Sequence, residues 1–570
     1  MAARVRNLLV ALLLAAPALA RAQQTDTSAF SRALTAEGNG QYREAAQLYR
    51  ASLHTVDRVS AVLGLERAYA QLGMTDSLIA PLDSLIAQFP AQPVFRDVQL
   101  RAYTMLARDD MARRSFEAWT RAMPGSPDPY RSYARLLLQA NRAAQADSII
   151  AMAGRALGTT SSLQMELAQS RAALGQWESS AVAWRGALSA MPDLDQAAAY
   201  SLAPAPETVR EALQAVFLSL PVDLGARRAL AELDMNWGAP GDAWAALRDL
   251  PPDSGSVSAW LDFGREAATG ERWALARDAF VAALRARPTP ELALQAATAA
   301  LNAGDPQTAL ALAPAAGLDS AHTAATVLPL RVRALAAYGK PAEAEALVQG
   351  FAHLLLPVQR AALEQSVAFG WVRTGNLAKA RAALGRAGPE ADSSAAAGWL
   401  ALYEGNLAGA RAMLRNSTDA SSELAAGLGL ITRMREDTAA DVGQAFLALA
   451  RLDSAGAAAA FAQAAGHHAD VGSALLAMAA QIHEARHDDA AAAALWQRIL
   501  KDDPASPEAP GAELAWARQL RRAGNAAAAM QRLEHMILTY PESALVPQAR
   551  RELELARQAI PGGGQGSPTR

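Results

Sequence analysis

Apolar positions along this chain recur at i, i+3, i+4 and i+7, the spacing of a helix with one buried face. The helical blocks come in pairs around a short turn. A phrase marks each pair: a turn residue, a bulky residue two places on, a small one at five, an aromatic or Leu at nine, an apolar one at twelve, and often Pro at seventeen. Gly40 with Tyr42, Ala45, Tyr49 and Ser52 is one copy. Gly175 with Trp177, Ser180, Trp184, Ala187 and Pro192 is another, and Gly524 with Ala529, Leu533, Met536 and Pro541 a third. The turn positions read as Gly40, Gly73, Ala107, Ala140, Gly175, Pro204, Gly238, Glu271, Gly304, Gly339, Gly375, Gly405, Leu452, His487 and Gly524. A period of roughly 34 residues means one helix–turn–helix unit stacked many times, each burying its apolar face only against its neighbours. The predicted fold is all-α: a solenoid of about fifteen helix-turn-helix repeats. The interval from Gly405 to Leu452 is too long for one unit and predicts an extra helix near 421–434.

Composition supports this reading. Hydrophobic residues make up 51% and aromatics only 6%, with much of the apolar count supplied by Ala, the strongest helix former. The formal net charge of −3 gives no electrostatic footprint for nucleic acid or an anionic membrane as the main partner. Cysteine is absent, which excludes disulfides, thiolate metal sites and a lipid-modified N-terminal Cys.

The first residues read as an address. Arg4 and Arg6 precede the short apolar run Leu8–Ala16, and Ala18-Leu19-Ala20 and Ala20-Arg21-Ala22 are small-x-small cleavage sites. The run is short for a membrane span of about 20 residues. A signal peptide over 1–22, cleaved after Ala22, is expected. The repeat array then occupies 23–560. The Gly/Pro/Ser-rich segment 561–570 has the composition of a disordered tail. The expected location is the bacterial periplasm or outside the cell.

The phrase resembles the tetratricopeptide repeat. The fullest copy runs from Trp260 to Pro288, with Phe263 and Gly264 in the first helix and Ala276, Phe280 and Ala283 in the second. Tyr540-Pro541-Glu542-Ser543 followed by Val546-Pro547 is similar to a signature common in tetratricopeptide proteins of the bacterial cell envelope. The resemblance implies that the solenoid is a right-handed α-α superhelix, and that it serves as a non-enzymatic scaffold that binds other proteins or peptides in a concave groove, without a cofactor. A structural subunit of an envelope or export complex is the alternative it leaves open.

In that family the residue six before the turn faces the groove. Here Arg67 and Arg101 hold this register, Arg135 follows at the same spacing, Arg131 lies one helical turn before Arg135, and Arg265, Arg333 and Arg518 take the equivalent place later. Arg67, Arg101, Arg131 and Arg135 are therefore the expected ligand-binding strip, suited to carboxylates or an acidic segment of a partner because a planar guanidinium pairs bidentately with them. Asp97, four residues before Arg101, is placed to neutralise part of it.

One motif points to catalysis. His483-Glu484-Ala485-Arg486-His487 fits H-E-x-x-H, in which two His one helical turn apart share a zinc and the Glu serves as general base. The competing reading places His487 at a repeat turn, with Asp488-Asp489 starting the next helix and Ala492, Trp496 and Pro504 following in phase. That reading makes the motif part of the repeat, and zinc-dependent hydrolysis the lesser alternative.

Overall fold

The computed structural model describes residues 29–313, 321–388, 395–417 and 421–559. The expected signal peptide 1–22 and tail 561–570 lie outside these residues. Helices dominate throughout, and among the described residues the only β-type pairing is an isolated bridge between Asn406 and Thr438. The chain divides into two compact units, Met1–Phe263 and Gly264–Arg570.

In the first unit a helix over 29–38 pairs with Tyr42–Ser52. The hairpins continue as Pro93–Met105 with Asp109–Ala122, Asp128–Gln139 with Ala143–Leu157, and Gln164–Ala173 with Trp177–Ala190. The second unit repeats the plan, for example in Pro357–Arg373 with Leu377–Ala387, Gly472–Ala485 with Asp489–Asp502 and Ala509–Arg522 with Ala526–Thr539. Helix Val546–Gln558 packs on this last pair and buries Val546, Ala549, Leu553 and Ala556. Within each unit, helices touch their hairpin partner and the adjoining hairpin.

Turn chemistry explains where each hairpin folds. Gly40, Gly73, Gly175, Gly238, Gly304, Gly339, Gly375, Gly405 and Gly524 all have left-handed backbone. So do the non-glycine turn residues Ala107, Glu271, Leu452 and His487, at φ between 54° and 63°. Two turns differ from the sequence reading. The left-handed residue of the fourth hairpin is Asn141, not Ala140. Pro204 cannot adopt positive φ, and the hairpin between Asp195–Leu202 and Glu207–Leu218 turns without a left-handed residue. Second helices often begin with a side-chain cap: Asp305 Oδ1 accepts from the Thr308 amide at 3.0 Å, and Asn376 caps Leu377–Ala387 in the same way.

The residues nine past the turns form the core. Tyr49, Phe116, Trp184, Phe461, Trp496 and Leu533 are all buried there. Facing them are small residues: a Cβ at Gly64 would lie 2.3 Å from the Tyr49 ring, and one at Gly264 2.6 Å from Phe280. This is the close helix approach the small positions imply. Trp260 donates from its indole nitrogen to the Leu247 carbonyl at 2.8 Å, so its bulk is buried without an orphaned donor. The buried carboxylate of Asp234 accepts from Gln214 Nε2 at 2.9 Å. Burial pushes it up to about 6, against that hydrogen bond.

The long interval before Leu452 holds helix Ser422–Arg433. Its return segment pairs with the Gly405–Asn406 turn: the Leu407 amide donates to Asp437 O at 2.9 Å and the Ala439 amide to Gly405 O at 2.9 Å. Arg411 fastens the helix end, donating to Ile431 O at 2.9 Å and also to Glu436 O.

Candidate functional site

The arginine register is real, but most of its members have partners. Arg67 forms a two-point pair with Glu37 at 2.7 and 2.9 Å. Arg101 pairs with both oxygens of Glu66 at 2.8 Å, and with Asp97. Arg131 reaches Asp128 at 3.0 Å and the Ser162 carbonyl at 2.9 Å, and Arg135 reaches Glu166 at 3.4 Å. Arg518 pairs with Glu552 at 2.9 Å. The pairs with Glu37, Glu66, Glu166 and Glu552 join one first helix to the next, forming a ladder between hairpins. The guanidinium of Arg67 holds the Glu37 carboxyl below its usual range, although burial opposes this. A carboxylate ligand on Arg67, Arg101, Arg131 or Arg135 would have to displace carboxylates already in place.

The same register in the second unit makes a different surface. Six residues before the turns at Gly339, Gly375, Gly405 and Leu452 stand Arg333, Phe369, Trp399 and Phe446. All four line cavities. The larger, about 760 Å³, is walled by Phe369, Trp399, Tyr403, Phe446, Leu449 and Met478, with Glu423 of helix Ser422–Arg433 on its border. A second, about 450 Å³, is bordered by Arg333 and Arg373 and shares Phe369, Tyr403 and Ala450 with the first. The residues come from helices Ala321–Ala337, Pro357–Arg373, Ala395–Tyr403, Ala440–Ala450 and Gly472–Ala485, each the first of its hairpin. Volumes of this order are those of ligand pockets.

The aromatics are arranged by packing. Trp399 stacks on Tyr403 at 6.1 Å between ring centres and lies 6.1 Å from Phe446, which meets the buried Phe461 edge-on at 5.0 Å. Gly427 leaves room for the indole, since a Cβ there would sit 2.9 Å from Trp399. Phe369 remains 44% exposed and Leu452 72% exposed, so the described residues cover the surface only in part. Burial, reinforced by the charge of Glu423, pushes the Tyr403 phenol up to about 12 and keeps it a hydrogen-bond donor. The sequence held the signal for this surface: the register that picked out the arginines also picks out Phe369, Trp399 and Phe446.

His483 and His487 are not brought into a zinc-binding arrangement. Helix Gly472–Ala485 ends before His487, whose φ of 59° turns the chain. The two rings are therefore not one turn apart on a continuous helix. His483 Nδ1 contacts Asp488 Oδ2 at 3.0 Å, and Glu484 accepts from Gln519 Nε2 at 3.0 Å. Among the described residues no group of three or more His, Asp or Glu is disposed to hold a metal ion.

A second histidine pair is more ordered. His468 is buried, with Nε2 3.0 Å from Asp441 Oδ1 and Nδ1 3.3 Å from Glu436 Oε1, while His467 Nδ1 lies 2.9 Å from Asp441 Oδ2. Burial works against a charged ring and against a charged Asp441, but these contacts outweigh it. They raise His468 and hold the Asp441 carboxyl down at about 2. Both nitrogens of His468 face carboxylates, so the imidazolium suits the site better than either neutral tautomer. The cluster anchors the segment that returns from helix Ser422–Arg433.

No family model matches the chain, and no curated protein matches it. Solved structures that resemble it include the APC/C hetero-tetramer Cut9-Hcn1, at 12% identity and a TM-score of 0.25, over 93% of this chain and 96% of that chain. Another is Naa15/Naa10 bound to HypK-THB, at 12% identity and a TM-score of 0.25, over 94% of this chain and 96% of that one. The hairpins themselves, not these likenesses, establish the fold. Among the described residues no helix is long and apolar enough to cross a membrane.

Proposed function

We propose that this protein is an exported, non-enzymatic scaffold of the tetratricopeptide type that holds segments of other proteins on the first-helix face of its C-terminal unit. One observation carries the reading: successive first helices contribute Phe369, Trp399, Phe446 and Met478 to a partly exposed apolar cavity of about 760 Å³. A packed solenoid needs no such opening for stability, because its core is already filled at the second-helix positions. The turn residues and the caps serve the repeat, and His483, Glu484 and His487 are absorbed by a hairpin. Export is supported by the composition of 1–22, and the bacterial envelope by the Tyr540–Pro547 pattern.

Site-specific photocrosslinking tests the binding face. A photoreactive residue at Phe369 or Leu449 should trap protein adducts in the native host. One at Leu538, an exposed apolar position on a second helix, should not. Equal trapping at all three positions, or trapping at Leu538 alone, would refute the assignment. Fractionation with N-terminal sequencing checks export, for which the mature chain should begin at Gln23 and leave the cytoplasm.

A further inference from the structure

We propose that the paired cavities take a polypeptide segment with a bulky apolar side chain seated against Trp399 and Phe446, and with carboxylates a few residues away held by Arg333 and Arg373. The inference rests on the binding-face reading above and specifies the chemistry of its occupant.

Arg333 sits at the register of Arg67, Arg101 and Arg518, each of which pairs with a glutamate of a neighbouring helix at 2.7–2.9 Å. Arg333 has no carboxylate within ion-pair distance among the described residues. Arg373 has none either, and its one contact is a long 3.5 Å approach to the Ala337 carbonyl. Both are exposed and border the same cavity of about 450 Å³. Two cations facing one space, in a chain that neutralises their counterparts, are complementary to an anion from outside. Arg373 also borders the larger cavity, so the apolar and basic parts are continuous. Glu423 on the larger cavity disfavours acid there, which fixes direction: apolar side chain towards Trp399, carboxylates towards Arg333. The segment 561–570 of this chain contains neither an aromatic nor an acidic side chain and does not fit the description.

Fluorescence anisotropy with the mature chain and three fluorescein-labelled dodecapeptides tests this. One peptide carries Leu-Trp followed by Asp and Glu, one replaces the acids by Asn and Gln, and one replaces Leu-Trp by Ala. The first should bind at least about tenfold more tightly than either of the others, and more weakly as salt rises. Arg333→Gln with Arg373→Gln should remove the preference for acid and leave the affinity of the amide peptide unchanged. Arg333→Glu with Arg373→Glu should reverse the preference towards a Lys-containing version. Circular dichroism and melting curves should match the parent, since neither arginine holds another part of the fold in an ion pair. Equal binding of acidic and amide peptides, or an equal loss for both in the Gln variant, overturns the proposal. If none of the peptides binds while Phe369 still crosslinks a protein, the acidic–apolar chemistry is wrong and the binding face stands. If Phe369 fails to crosslink as well, the face itself is wrong.

Discussion

Replacing Ala107 by Gly should stabilise its hairpin, although it adds no contact. Ala107 turns the chain at φ 54°, where an L-residue is strained by about 1–2 kcal/mol. Its side chain is exposed, so removing one methyl sacrifices little packing. Glycine brings a backbone-entropy cost of about 0.5–1 kcal/mol, leaving a net gain of about 0.5–1 kcal/mol. Gly73, one repeat earlier, is the mirror experiment. Its φ is 66°, and a Cβ there meets nothing within 4 Å, so Gly73→Ala isolates the strain and should lose a similar amount. Stacked repeats open locally, so the assay is amide hydrogen exchange across 93–122 for Ala107→Gly and 58–88 for Gly73→Ala, measured under native conditions. A gain of about 1 kcal/mol slows exchange about fivefold. Faster exchange in Ala107→Gly, of the size seen for an exposed mid-helix control such as Glu117→Gly, would show that the left-handed turn is not strained and refute the reasoning.

Three further changes probe other features. The Asp234 carboxyl, raised from 3.8 to about 6, is unpenalised in the fold below its unfolded value and costs stability progressively as pH rises from there through about 6. Asp234→Asn should therefore raise the melting temperature of the first unit at pH 7.5, by about 1–3 kcal/mol of stabilisation, and give little benefit at pH 4; a benefit independent of pH would contradict it. His468 has its pKa raised, so its contribution is complete below about 6.5 and fades as pH rises through the folded value. His468→Gln should accordingly lose more thermal stability at pH 5.5 than at pH 8.5, and equal losses would remove the imidazolium from the account. A Cβ at Gly443 would stand 2.6 Å from the Leu402 carbonyl oxygen, so Gly443→Ala should destabilise by about 1–3 kcal/mol as the backbone shifts, measurable by exchange across 395–450; unchanged exchange there would mean the approach is looser than described.

The sequence made the hairpins legible because their turns and small positions are fixed by local sterics, which repeat with the chain. Ala140 was the wrong choice of turn by one residue for an instructive reason. Steps of 34 residues on from Ala107 and back from Gly175 both land on Asn141, and Asn tolerates left-handed backbone better than Ala. His487 could be recognised as a turn residue from its phase, and the end of helix Gly472–Ala485 supplies the physical reason that His483 lacks its expected neighbour. Pairing was not legible. Glu37, Glu66 and Glu166 lie some thirty residues from their arginines, and whether a carboxylate meets a guanidinium depends on how one hairpin sits on the next. Arg67, Arg101, Arg131 and Arg135 were visible for their charge, while Phe369, Trp399 and Phe446, in the same register, were obscured because aromatics in repeats usually signify core.

The glutamate–arginine rungs of the first unit have a mechanical consequence. Each spans two adjacent hairpins and stands partly in solvent, where a contact ion pair is worth only about 0.2–1 kcal/mol and is weakened by salt. Apolar packing holds the hairpins in register, while the rungs act as clips whose grip slackens as counterions accumulate. The compliance of that half of the chain under tension is thereby adjustable by its ionic surroundings, with no change in its hydrophobic seams.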